Sequence, residues 1–105
     1  MKIKRFPIPE PITLKQFAEK HNLILEIHER TKDPKPDKYY AHFENSDIKD
    51  GRVLRGVFGN GSTEAFAISD YAKEISGQIL ILNAWNSTKK RREIHVPTLE
   101  TGELQ

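Results

Sequence analysis

The sequence has no cysteine, one methionine and one tryptophan, and it has no long apolar run. The absence of cysteine excludes disulfide bonds, thiolate metal sites and redox chemistry at sulfur, so packing and hydrogen bonds must hold the fold. No apolar run approaches the roughly 20 residues of a membrane span, and the N-terminal MKIKRFPIPEP lacks the apolar segment of a secretion signal. We therefore expect a cytoplasmic protein that does not bind membranes.

The central part of the chain also lacks a basic excess. The formal net charge is +2, and residues 13–88 hold 10 Lys or Arg against 11 Asp or Glu. The excess lies near the ends, in Lys2, Lys4 and Arg5 and in the run KKRR at residues 89–92. Because proteins that bind phosphates usually carry a basic face, nucleic-acid binding is an alternative and not the first interpretation.

The length of 105 residues suits one small hydrophobic core. Three prolines in the first 11 residues favour an extended arm. We predict an arm over residues 1–12, a single domain over residues 13–97 and a flexible tail over residues 98–105.

The first predicted helix has signals at both ends. Thr13 and Gln16 fit a capping box before an apolar face at helical spacing, and Asn22 suits a left-handed stop. These signals predict a helix over residues 14–21. As a cation at the C-terminal end, His21 would interact favourably with the helix dipole.

Alternating apolar and polar residues predict the first three strands. They cover residues 23–28, 38–45 and 53–58, with a proline-containing surface loop at 31–38 and a turn over SDIKDG whose tip is Asp50-Gly51.

A glycine-rich bend connects the third strand to the second predicted helix. Gly59 and Gly61 end the strand, Ser62 or Thr63 can cap the helix, and Gly77 ends it. The buried face of this helix is predicted to be Ala65, Ile68, Ala72 and Ile75.

Two further strands complete the prediction. ILIL at residues 79–82 is apolar on both faces and indicates a central strand, and EIHVP at 93–97 alternates. The predicted fold is an α+β domain of order α-β-β-β-α-β-β, in which two helices pack on one face of an antiparallel sheet of about five strands.

Two family resemblances agree with this order. Residues 13–77, with the helix TLKQFAEKHN, the proline loop and a Gly-x-Gly strand end, resemble the double-stranded-RNA-binding domain. A second resemblance, to HicB-type antitoxins, covers KYYAHFENSDIKDGRVLRGVFGNGSTEAFAISDYAKEI. The first implies RNA binding and the second a protein partner, and the chain also resembles short phage or prophage proteins. Glu64 stands where the RNA-binding family carries lysines, which disfavours phosphate contacts.

Small-ligand sites are the weaker interpretation of two other features. The glycine bend could hold a phosphate, but the third glycine of the dinucleotide pattern is replaced by Glu64 and the P-loop lysine is absent, so a structural hinge is favoured. The four histidines have no spacing typical of zinc, and we predict no metal site. If the first two strands pair as a hairpin, His28 and His42 approach each other on the polar face, where a metal site is the less favoured alternative.

The first functional interpretation is a non-catalytic binding module, antitoxin-like or inhibitor-like, that binds a protein partner. Its contact residues would be Tyr39, Tyr40 and His42 on the aromatic second strand, or an exposed sheet edge. An unpaired edge strand would also allow a homodimer. No nucleophile stands beside a base, and Asp47 and Asp50 fall in a predicted turn, so we predict neither enzyme activity nor a cofactor.

The alternative is a weak nucleic-acid-binding protein. Trp85 and Tyr39 or Tyr40 would supply stacking surfaces, although Trp85 is more typical of a lid on the core. The run KKRR at residues 89–92, which we call the basic turn, could equally be a solvated loop that protects an edge strand. The phosphate-binding residues in this alternative are Lys4, Arg5, Lys89, Lys90, Arg91 and Arg92.

Overall fold

The computed structural model describes residues 12–31 and 37–100. The predicted arm before Ile12, which includes Lys4 and Arg5, lies outside the described residues, as do most of the proline loop and the last five residues of the predicted tail. The elements are α1 (Leu14–His21), β1 (Leu25–Glu29), β2 (Tyr39–Phe43), β3 (Ser46–Asp50), β4 (Val53–Arg55), β5 (Gly59–Gly61), α2 (Glu64–Ile75), β6 (Ile79–Leu82) and β7 (Arg92–His95).

The α+β class is confirmed, because two helices combine with antiparallel sheets in the predicted order. The number of strands differs from the prediction. Within residues 12–31 and 37–100, seven strands form two sheets, one of order β1-β2-β5 and one of order β4-β3-β6-β7, where about five strands in one sheet were expected. No helix among the described residues has both the length and the apolar character needed to cross a membrane.

A bent hairpin explains the two sheets. Ala41 pairs with Gly59 in the first sheet, and Ile48 pairs with Arg55 in the second. Between these pairs, one arm of the hairpin has the six residues 42–47 and the other arm has only the three residues 56–58. Asn45, with φ of 55°, lies in this mismatch. Because extra residues on one arm bend a hairpin, the two predicted strands become four. The predicted turn SDIKDG thus contributes β3, and only its tip at Gly51, with φ of 64°, is a turn.

The first helix forms as predicted. The Gln16 amide donates to Thr13 Oγ1 at 3.1 Å, and the Thr13 amide donates to Gln16 Oε1 at 2.9 Å, which completes the capping box. Asn22 ends the helix in the left-handed conformation. Leu14 and Phe17 are buried, so α1 joins the core through the predicted face.

The second helix packs on β2 and β5 through a face that differs in part from the prediction. Its buried residues are Ala67, Tyr71, Ala72 and Ile75, whereas Ala65 and Ile68 are only half-buried. The side chain of Tyr71 belongs to the core although its hydroxyl is polar, because that oxygen accepts the Phe43 amide proton at 3.0 Å. Burial of this ring raises the pKa of Tyr71.

The glycine bend is a packing device. A Cβ at Gly59 would overlap the Tyr71 backbone nitrogen and the Ala67 carbonyl oxygen, and a Cβ at Gly61 would overlap the Ala67 nitrogen. Only glycine lets β5 approach α2 this closely. The hinge interpretation is therefore supported by the close contact of strand and helix.

One hydrophobic core joins both sheets to the helices. β6 lies between β3 and β7, and Leu80, Ile81 and Leu82 are buried, as its apolar run predicted. Leu99 is also buried, and the Glu100 amide donates to the Ile12 carbonyl at 2.9 Å. The packed chain thus continues into the region predicted as a tail.

Candidate functional site

The strand alternation of the first sheet gives it two different faces. Ala41 and Phe43 point inward and are buried, whereas the register pairs Glu26 with His42 and His28 with Tyr40 on the other side. We call this side, away from α2, the outer face. Its residues are Glu26, His28, Arg30, Tyr40, His42, Phe58 and Asn60.

Four rings pack together on the outer face. His28 stacks on Tyr40, with centroids 4.7 Å apart and planes 13° apart, and on His42, at 5.2 Å and 3°. Phe58 meets Tyr40 and His42 edge-on, at 5.8 and 5.1 Å. We call His28, Tyr40, His42 and Phe58 the ring cluster. Edge-on and stacked contacts of this kind orient the rings relative to one another.

Arg30 fixes one end of the ring cluster. Its Cζ atom lies 4.8 Å from the centroid of the Tyr40 ring, within the range of a cation–π contact. Its Nη2 donates to Asn60 Oδ1 at 2.7 Å and its Nη1 to the Asp37 carbonyl at 2.6 Å. The guanidinium is therefore held on Tyr40 by bonds to two segments.

The two histidines of the hairpin do approach each other, as predicted. His28 Nε2 lies 3.2 Å from His42 Nε2 and 3.3 Å from Glu26 Oε2. His42 Nδ1 lies 3.0 Å from the Phe43 carbonyl oxygen, which can only accept, so this nitrogen carries a proton. In the neutral ring, His42 Nε2 then carries a lone pair that accepts a hydrogen bond from His28 Nε2.

The predicted partner-binding residues divide between the two faces. Tyr40 and His42 lie together in the ring cluster. Tyr39 lies on the opposite side of β2 and packs against the core, with Lys38 Nζ 5.7 Å from its ring centroid. Neighbouring residues of a strand point to opposite faces, so the three could not act as one patch.

Trp85 is exposed, and its predicted role as a core lid is wrong. The side chain is 81% exposed, and its Nε1 donates to Asp47 Oδ2 at 3.1 Å. Asp47 belongs to β3, not to a turn. Trp85 lines a cleft of about 350 Å³ together with His42, Asp47 and Phe58, so the cleft adjoins the ring cluster.

The basic turn, residues 89–92, follows β6 and ends at Arg92, the first residue of β7, and all four of its cations are exposed. Asn86 Oδ1 accepts the Lys89 amide at 3.0 Å, and Asn83 Nδ2 donates to the Lys90 carbonyl at 3.1 Å. Arg92 differs from the other three, because its Nη1 donates to the His21 carbonyl at 3.0 Å. It thus satisfies an orphan carbonyl at the end of α1.

The environment of His21 differs from the prediction of a stabilising cation. Burial lowers the pKa of this imidazole, and the charges of Lys20 and Arg92 lower it further. The ring packs on Phe17 with centroids 4.7 Å apart. Desolvation and repulsion by the two cations thus both disfavour the charged imidazole.

One backbone amide of the glycine bend and one at the start of α2 have side-chain partners within the chain. The Asn60 amide donates to Asp70 Oδ2 at 2.8 Å, and the Phe66 amide donates to Thr63 Oγ1 at 3.1 Å. The Asp70 carboxylate occupies the Asn60 amide and adds negative charge beside the bend, which disfavours phosphate there.

Four residues of the outer face were not singled out from the sequence, namely Glu26, Arg30, Phe58 and Asn60. Glu26 stands two residues before His28 on the predicted first strand, and this spacing could have placed it on the same face. Arg30 continues the alternation of Glu26 and His28 just after β1, and Phe58 lies just before β5, outside the strand. No protein-family model, curated protein or solved structure matches this chain.

Proposed function

We propose that the protein is a non-catalytic binding module whose outer face and adjoining cleft bind a protein partner. The observation that carries this proposal is the ring cluster on the sheet face opposite α2. Both helices contribute to the core on the other side, so these rings are free of helical cover among the described residues.

The surface offers the side chains that dominate protein interfaces. Phe58 is 47% exposed and Trp85 is 81% exposed, and both line the cleft. Tyr40 and His42 are half-buried beside them. Aromatic residues and arginine are enriched among the residues that contribute most to binding, and rings already held by stacking lose little freedom on binding.

The charges around the rings favour a protein over a nucleic acid. Glu26 Oε2 lies 3.3 Å from His28 Nε2 in the ring cluster, and Asp47 Oδ2 lies 3.1 Å from Trp85 Nε1. Carboxylates at these positions repel phosphates. They suit a partner whose contact patch places a cationic side chain next to an apolar one.

Affinity capture from the source cell tests this proposal with a matched pair of variants. We expect the double variant Phe58→Ala/Trp85→Ala to lose a partner that the unchanged chain retains. Truncation of such residues typically costs about 2 kcal/mol or more, which is roughly 30-fold in affinity. Phe66→Ala is the control, because Phe66 is 44% exposed but lies on α2.

Circular dichroism establishes that each variant is folded before capture. Equal recovery of every partner by the double variant and the unchanged chain contradicts the proposal. Equal loss with Phe66→Ala contradicts it as well, because the binding surface would then include α2.

Nucleic-acid binding is a second candidate, and the exposure of Trp85 favours it. Asn83 lines both the cleft beside Trp85 and a smaller cleft of about 190 Å³ that contains Lys89 and Arg92. A single strand could therefore contact a stacking ring and the basic turn together. The salt dependence of binding separates this candidate from a protein partner.

A further inference from the structure

We infer that Glu26, His28 and His42 form a binding site for a divalent transition metal, which we assign as Zn²⁺ from its ligands. Two imidazoles and one carboxylate are a ligand set that zinc accepts with a fourth position left for water or another ligand. The inference is independent of any macromolecular partner of the outer face.

The distances suit tetrahedral coordination. Zinc binds imidazole nitrogen and carboxylate oxygen at about 2.0–2.2 Å, so adjacent ligand atoms in a tetrahedron lie about 3.3–3.5 Å apart. His28 Nε2 lies 3.2 Å from His42 Nε2 and 3.3 Å from Glu26 Oε2. The three ligand atoms all lie within 4.8 Å of one another. Rotation of the Glu26 side chain would bring its carboxylate oxygen to a tetrahedral distance from His42 Nε2.

The neutral tautomer of His42, with its proton on Nδ1, favours metal binding. Its Nδ1–H donates to the Phe43 carbonyl at 3.0 Å, which leaves the Nε2 lone pair for a metal; the ion takes the place of the proton on His28 Nε2, which moves to His28 Nδ1 or to solvent. A hydrogen bond of this kind from the second ring nitrogen is typical of histidine ligands, because it orients the ring and strengthens the ligand. The Phe43 carbonyl would therefore orient the His42 ring from outside the ligand set.

Packing holds the ligand rings close to the required positions. The His28 ring contacts the Tyr40 ring and the His42 ring, with centroids 4.7 and 5.2 Å apart, and Phe58 packs edge-on against His42. The Glu26 and His28 side chains are each 38% exposed, so an ion can enter from solvent. Ligands that are restrained before binding lose less freedom when the ion arrives.

Local charge also supports a cation at this position. Glu26 contributes a negative charge, and Arg30, the cation among the outer-face residues named above, is held over Tyr40 by its bonds to Asn60 and Asp37. No other group of three such ligands lies within reach of one another in residues 12–31 and 37–100.

Isothermal titration of the full-length, untagged chain with ZnCl₂ tests the site. We expect one ion per chain, and binding at least about 10-fold weaker in His28→Gln, His42→Gln and Glu26→Gln, since loss of an outer-shell partner alone typically costs 10- to 100-fold. His95→Gln is the matched control, because His95 is an exposed histidine on β7.

Cobalt absorption spectroscopy provides a second readout. We expect the intense visible bands of tetrahedral Co²⁺ in the unchanged chain and in His95→Gln, and their loss in Glu26→Gln, which removes a ligand with little change of shape. The inference is overturned if the unchanged chain does not bind Zn²⁺, or if His28→Gln and Glu26→Gln both bind as tightly as it does. Equal weakening in His95→Gln overturns it too.

Discussion

His28 and His42 place their Nε2 atoms 3.2 Å apart, although they are 14 residues apart in the chain. The antiparallel register of β1 and β2 brings them together, since it pairs Glu26 with His42 and His28 with Tyr40. The same register turns Tyr39 to the other face. The chemistry of the outer face therefore depends on the fold of this hairpin and on the packing that holds its register.

The close contact between Gly59 and α2 makes Gly59→Ala strongly destabilising. A methyl group there would overlap backbone atoms of Ala67 and Tyr71, which cannot move without separating β5 from the helix. We expect a loss of about 3 kcal/mol or more in the free energy of unfolding, at the upper end for overpacked cores.

Urea denaturation measures this effect, with Gly56→Ala as the control. A Cβ at Gly56 would meet only the Phe58 ring, at 3.7 Å, so that variant should unfold near the midpoint of the unchanged chain. Similar midpoints for the two variants would show that β5 and α2 are not packed as described.

The hydroxyl of Tyr71 should contribute measurably to stability. Tyr71→Phe leaves the Phe43 amide without its acceptor in a buried position. An unsatisfied buried donor costs about 1–3 kcal/mol in the free energy of unfolding. Tyr40→Phe removes a hydroxyl from a half-buried ring and should change stability by less than about 0.5 kcal/mol. Denaturation curves of both variants decide the matter, and an equal effect of the two contradicts the role of Tyr71.

Protonation of His21 should destabilise the folded chain. Its pKa is lowered from the ordinary value of 6.5 by burial and by Lys20 and Arg92, so the unfolded chain binds the proton more tightly. The stability that His21 contributes is therefore fully present above that value and is lost as the pH falls below it. We expect His21→Gln to lose less stability than the unchanged chain between about pH 7 and pH 5.

Thermal melts at both pH values measure this difference. His95→Gln serves as the comparison, because His95 is exposed on β7 and removing it should leave the acid sensitivity in place. Equal acid sensitivity in His21→Gln and the unchanged chain would contradict the stated environment of the ring.

If the basic turn binds nucleic acid, the binding must weaken steeply with salt. Anisotropy titrations with single-stranded and duplex RNA and DNA should give dissociation constants of about 10⁻⁴ to 10⁻⁶ M, and the slope against salt should fall in the variant Lys89→Ala/Lys90→Ala/Arg91→Ala. Arg92 is kept because it bonds the end of α1. Arg52→Ala, an exposed cation elsewhere, should change the slope less. No binding at low salt removes this candidate.

Local signals predicted the first helix and its caps well. Thr13, Gln16 and Asn22 act within a few residues of the backbone groups that they satisfy, so their roles follow from spacing alone. The approach of His28 and His42 was also predictable, because it requires only that two neighbouring strands pair.

Contacts between distant segments explain what could not be predicted. The polar segment Ser46–Asp50 becomes a strand because Ile48 enters the core and β6 pairs with it. Trp85 follows an apolar strand but turns outward to bond Asp47, which lies 38 residues away in the chain. Neither relationship has a local signal, because each depends on the bend of the hairpin near Asn45.

Photo-crosslinking in the source cell tests the central claim that the outer face and its cleft bind a protein. p-Benzoylphenylalanine placed at Phe58 or Trp85 should give a crosslinked product that protease removes and nuclease does not, whereas the same group at Phe66 should give none. A product at Phe66 alone, or no product at Phe58 and Trp85, would contradict the claim.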